Sequence, residues 1–155
     1  MTALTKAPKL SGTLCGIAGE YFVAAELSRR GYIASITLRN TRGVDILASN
    51  ADATRSVGIQ VKSSQGSSKS WMLTSKVEAD AATNLFFVFV RLNGLSQPEY
   101  YVVPREDVSR FAAENHKQWL ATPGKKGQAH RDTPIRQFKD VEDKFRGRWD
   151  LLGLD

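Results

Sequence analysis

Residues 84–92, Asn-Leu-Phe-Phe-Val-Phe-Val-Arg-Leu, constrain the fold of this chain more than any other stretch. The run has the length of a strand, is rich in aromatic and β-branched side chains, and shows no polar alternation. Successive strand side chains point to opposite faces, so a strand apolar on both must be covered on both. The run is therefore expected to be a central strand of a sheet with a packed layer on each side. With 155 residues the chain can build one such core and is short for two.

The remaining elements fit around that strand. Residues 13–30 read as a helix, closed by Arg29, Arg30 and then Gly31, a usual left-handed cap. Residues 32–38 and 44–48 read as strands joined across a polar turn, and residues 57–63 as a third. A Ser-rich segment, residues 63–70, leads to a short strand at 71–74 and a helical turn or two at 76–83. After the central run come a turn, a strand at 100–103, and a helix opened by Pro104 with Glu106 and Asp107 in its first turn. From Ile135 on, Ile135, Phe138, Val141, Phe145, Trp149 and Leu152 recur at spacings of three and four, which predicts an amphipathic C-terminal helix serving the core or a dimer interface. Residues 1–12 show no periodicity and read as a loose arm, leaving one domain over 13–155.

Four polar residues sit where apolar ones are expected. In Val44-Asp45-Ile46-Leu47-Ala48, Asp45 shares a face with Leu47. In Ile59-Gln60-Val61-Lys62, Gln60 and Lys62 share one face. On the first helix, Glu20 has Gly16, Ile17, Val23, Ala24 and Leu27 as helical neighbours, placing a carboxylate on the packed face, which is costly unless it is paired or metal-bound. If the two strands are neighbours, an acid, an amide and an amine converge.

Gly19-Glu20 on a first helix, then Gly43-Val44-Asp45-Ile46-Leu47, then Gln60-Val61-Lys62-Ser63, resembles the PD-(D/E)XK nuclease superfamily in its Gln-X-Lys variant. The likeness is greatest to small bacterial endonucleases, intron-encoded endonucleases and Holliday-junction resolvases. It spans residues 13–104, with an echo in Arg148-Trp149-Asp150-Leu151-Leu152. It implies an α/β, restriction-endonuclease-like mixed β-sheet flanked by helices, in the order α-β-β-β-(insertion)-β-β-α plus the C-terminal helix. It implies also a Mg2+-dependent DNA endonuclease, a site-specific cutter or a junction resolvase, in which Mn2+ would substitute. The implied site is Glu20, Asp45, Gln60 and Lys62, with Asp45, Glu20, Gln60 and the backbone carbonyl of Val61 as metal ligands. Gln60 departs from the commoner acidic residue; its amide oxygen binds a hard cation without adding charge.

Charge agrees with a polyanionic partner. There are 22 basic residues against 16 acidic, a net charge of +6, and residues 39–76 hold six basic residues and only two acidic ones. Candidate DNA contacts are Arg39, Arg42, Ser63, Ser64, Lys69, Lys125 and Lys126. One cysteine, Cys15, excludes an internal disulfide, and no zinc-ligand spacing occurs. No apolar stretch suits a signal peptide or a membrane span, so a cytoplasmic protein is expected. Cutting duplex DNA with two sites suggests a homodimer or higher homo-oligomer. The alternative is a non-catalytic nucleic-acid-binding or assembly module that keeps the fold. Each site residue also has a plain reading: Lys62 as a strand charge that blocks aggregation, Asp45 as the end of a turn, Glu20 as bonded to backbone. His116 and His130 have no partner spacing and read as surface residues.

Overall fold

The computed structural model describes residues 6–38 and 43–155. Helix α1 (Gly12–Arg29) is capped by Ser11, whose side chain accepts the Leu14 amide, and closes at Gly31 with φ of 89°. Strands β1 (Ile33–Ile36), β2 (Ile46–Ser49) and β3 (Ser56–Ser64) follow, then β4 (Ser70–Thr74) and a single 3₁₀ turn (Ser75–Glu78). Strands β5 (Leu85–Arg91) and β6 (Glu99–Pro104) lead into helix α2 (Arg105–Ala121), and β7 (Ile135–Lys139) and a second 3₁₀ turn (Trp149–Leu152) follow.

Five strands form a mixed sheet in the order β1-β2-β3-β5-β6, in which only β3 and β5 run parallel. Residues 86–90 of β5 are all buried, as a run apolar on both parities requires. The alternation sorts them into two cores. Phe86, Val88 and Val90 join Cys15, Val23 and Leu27 of α1 together with Ile59 and Val61 of β3. Phe87 and Phe89 instead pack with Val108 and Ala112 of α2 and with Trp71 and Phe138. This second core is strongly aromatic: Phe89 stacks on Phe138 at 4.5 Å and Trp71 lies 5.1 Å from both Phe89 and Tyr101. The architecture is thus a mixed α/β sheet with a helix on each face.

The expected C-terminal helix is corrected. Residues 135–139 form β7, which pairs antiparallel with β4 as a two-stranded sheet, with Trp71 opposite Phe138. The spacing of three and four does not describe one face. Phe138 enters the aromatic core, Trp149 and Leu152 enter the α1 core, and Ile135 and Val141 stay exposed. Asp143 and Gly147, at φ of 57° and 66°, break any helical path between them. β4, laid over the sheet by the insertion, has backbone groups that need a partner, and β7 supplies it.

The arm is seated near its end. Leu10 exchanges two hydrogen bonds of 2.7 Å with the Gln65 amide, and Ala7 lies beside Gly94. No helix among the described residues is long and apolar enough to cross a membrane.

Candidate active site

Asp45 lies at the entrance to β2, where the ladder between β2 and β3 ends. Its amide donates to the Ile59 carbonyl at 2.8 Å and its carbonyl accepts the Thr37 amide at 2.9 Å. Its carboxylate Oδ2 accepts the Val61 amide at 2.7 Å. The side chain therefore serves as an acceptor for β3 at this point, while two backbone bonds, to Ile59 of β3 and to Thr37 just after β1, fix the main chain of Asp45. The Thr37 hydroxyl adds a bond of 2.6 Å to the Val44 carbonyl, holding the approach to Asp45 from the other side. Among the described residues no hydrogen bond engages Oδ1 of Asp45.

The N–H and C=O of one strand residue point to the same side, so the Val61 carbonyl faces the Asp45 side of β3. Gln60 and Lys62 lie opposite Phe87 and Phe89 of β5 and project from the α2 face of the sheet. Both are half-buried. Gly43, at φ of 63°, brings its backbone beside the Gln60 amide; a Cβ there would lie 3.8 Å from Oε1. Gly43, Gln60 and Lys62 form one wall of a cleft of about 330 Å³, faced by Thr74, Lys76 and Arg105. Its floor is apolar: Leu73, Val77 and Phe87.

Glu20 is half-buried on α1, one residue after Gly19. Gly19 is the point of closest approach between this helix and β3: a Cβ there would lie 1.7 Å from Ser63 Oγ and 3.5 Å from Val61 Cγ1. Glycine is required here by contact, and it sets α1 directly behind the Val61 segment that holds Asp45. Val61 thus meets Asp45 at the β2–β3 junction, Gln60 and Lys62 flank it along β3 and line the cleft, and Glu20 follows the residue that seats α1 behind it.

The donors suit a hard divalent cation, which prefers oxygen ligands and retains several waters. Among the described residues no three His, Cys, Asp or Glu side chains form a group that could hold a metal ion. A site here would draw on Asp45 and Glu20 plus the neutral oxygens of Gln60 and Val61. That set matches such a cation in chemical type while offering two negative charges at most.

The candidate DNA contacts divide. Arg39 and Arg42 lie outside the described residues. The hydroxyls of Ser63 and Ser64 are buried with no hydrogen-bond partner, Ser63 against Gly19, which leaves them inside the packing. Lys69 is paired with Asp143 at 2.7 Å. Lys125 and Lys126 are exposed on the connection after α2. His116 and His130 stack on either face of Trp119, at 5.5 Å and 4.1 Å, with His116 bonded to Asp132, so both serve the surface of α2. Cys15 is a core residue whose thiol is pushed up by burial. Lys76 and Arg105 were not singled out by sequence. The available signal was Arg105 itself, a cation in the first turn of a helix, where the dipole favours acids.

The sequence matches no protein-family model and no curated protein. Among solved structures, a bacterial homing endonuclease, I-Ssp6803I, superposes with a TM-score of 0.54 over 93% of this chain and 92% of that one, at 17% identity. The two chains share a fold. The agreement extends over nearly the whole of both.

Proposed function

We propose that this chain is a divalent-metal-dependent endonuclease of the PD-(D/E)XK type that hydrolyses DNA phosphodiester bonds. The observation that carries this reading is the anchoring of Asp45 by the Val61 amide between Gln60 and Lys62, on a fold shared with a homing endonuclease. Asp45, Glu20, the Gln60 amide oxygen and the Val61 carbonyl would hold Mg2+ or Mn2+, which supplies charge neutralisation and an activated water. The protein's own part is positional and electrostatic. Two backbone bonds hold the Asp45 main chain and the Val61 amide holds one carboxylate oxygen, which limits reorganisation of the carboxylate when substrate arrives, the condition under which fixed charges act most strongly. Lys62 presents an ammonium to the phosphoryl oxygens as their charge grows, and Gln60 limits the site's negative charge, easing approach of a polyanion. Arg39, Arg42, Lys125 and Lys126 are proposed to contact the DNA backbone. A symmetric homo-oligomer would bring two such sites to the two strands; sedimentation as a monomer at working concentration argues against it.

The test is cleavage of supercoiled plasmid and of a four-way junction with Mg2+, Mn2+ or EDTA, comparing wild type with Asp45→Asn and Lys62→Ala. Asp45→Asn retains an acceptor for the Val61 amide and removes the charge. Metal-dependent cutting abolished by both variants supports the nuclease, and the preferred substrate separates cutter from resolvase. The second reading is a non-catalytic DNA-binding module, favoured by the neutral Gln60. Salt-sensitive binding that is indifferent to metal, with no cutting of a randomised duplex library, would decide for it.

A further inference from the structure

Three cations line the cleft beneath Gln60: Lys62 from β3, Lys76 from the first 3₁₀ turn and Arg105 from the start of α2. No carboxylate lines it. Among the described residues none of the three is in an ion pair, whereas Lys69, Arg91, Arg110, Arg136, Arg146 and Arg148 all are. Arg105 is oriented by a bond of 3.2 Å from one terminal nitrogen to the Lys76 carbonyl, while its Nε is shut off from solvent with no partner. Arg105 also occupies the first position of a 17-residue helix, where its charge opposes the dipole. Like charges gathered in a cleft that no carboxylate of the described residues lines, one of them at a positive helix end, are stabilised by an incoming anion.

We propose that Lys76 and Arg105 form a second phosphate subsite, adjoining Lys62, which grips a backbone phosphate next to the one that is cut. This extends, and rests on, the nuclease reading of the same cleft. Leu73, Val77 and Phe87 close the bottom of the cleft, and Gln60 and Thr74 border it from facing walls. The subsite reads no bases, because what it offers is charge. It therefore contributes affinity and register to any sequence alike. Its elements belong to the insertion between β3 and β5 and to α2, so the insertion is part of the DNA-binding surface.

The experiment measures binding of a labelled duplex across salt concentrations in the Asp45→Asn background, where nothing is cut, and cleavage in the parent. Lys76→Ala and Arg105→Gln are compared with Lys117→Ala, which removes the same unit charge from α2 about 18 Å along the helix from Arg105. A thermal melt of each checks folding; should Arg105→Gln melt early, Lys76→Ala alone carries the result. Each subsite variant is expected to flatten the slope of log Kobs against log salt by about 0.9, with Lys117→Ala unchanged. Cutting by the parent with unaltered slopes overturns the subsite and leaves the nuclease standing. Binding with flattened slopes but no cutting keeps the subsite and removes the nuclease. Neither binding nor cutting overturns both.

Discussion

The two sides of the β5 strand hold their charges in opposite ways. On the β6 side, Arg91, Arg146 and Lys69 each have an acid. Glu99 takes Arg91 at 2.7 Å and Arg146 at 2.9 Å, and Asp143 takes Lys69 at 2.7 Å. The buried Tyr101 hydroxyl lies between the two acids, 3.0 Å from Asp143 and 3.4 Å from Glu99. On the β3 side of β5, Lys62, Lys76 and Arg105 share a cleft that no carboxylate of the described residues lines. Both places lie on the face of the sheet carrying the aromatic core. Charges that finish the fold are satisfied within it; charges left unsatisfied are held for something that arrives.

The sharpest way to test that contrast is to exchange the readouts. On the open side, Lys62→Ala, and beside it Asp45→Asn at the β2–β3 junction, are expected to reduce cleavage by about 10²- to 10³-fold each, the usual loss for one preorganised polar group. Their melting temperatures should stay near that of wild type, and a large drop in either would mean that the open cleft is structural after all. On the paired side, Glu99→Ala leaves Arg91, 14% exposed, without its acid, while Arg146 keeps Asp143 at 3.8 Å. It should lower stability by about 2 kcal/mol in a denaturant titration while the folded fraction cuts at the parent rate. Loss of activity in excess of the unfolded fraction would break the division of labour.

A smaller effect is expected from Tyr101. Burial first, and then its acidic neighbour Asp143, push its hydroxyl up to about 12. The unfolded phenol ionises near its ordinary value of about 10. Stability from the neutral, buried hydroxyl is therefore complete below about pH 10 and declines as pH rises toward 12. Tyr101→Phe should lack that alkaline limb in a melting series. On the acid side, the Asp143 carboxyl is held below its ordinary range, chiefly by the Lys69 ammonium. Its contribution is present above the ordinary carboxylate range and fades as pH falls below it, so Asp143→Asn should flatten the acid limb of the same series.

How much of this was legible in sequence depends on whether the signal was local. The β5 strand, the cap at Gly31 and the order of elements through α2 follow from runs and periodicities within a few residues. Asp45 and Lys62 were legible for the same reason, as polar residues in apolar strands. β7 was not, because its pairing with β4 joins residues 70–74 to 135–139, and because a spacing of three and four arose from side chains that serve two different cores. The Lys76–Arg105 pair was hidden likewise: a 3₁₀ turn and a helix start meet only once the sheet is in place.

The placement of residues 135–154 bears on when the molecule becomes itself during synthesis. Phe138 completes the aromatic core, while Trp149, Leu152 and Leu154 complete the core under α1. A chain still on the ribosome at residue 130 has made Asp45, Lys62, Lys76 and Arg105 yet has neither core closed. The residues that line the cleft are thus made before the last residues that pack the cores on either side of the sheet.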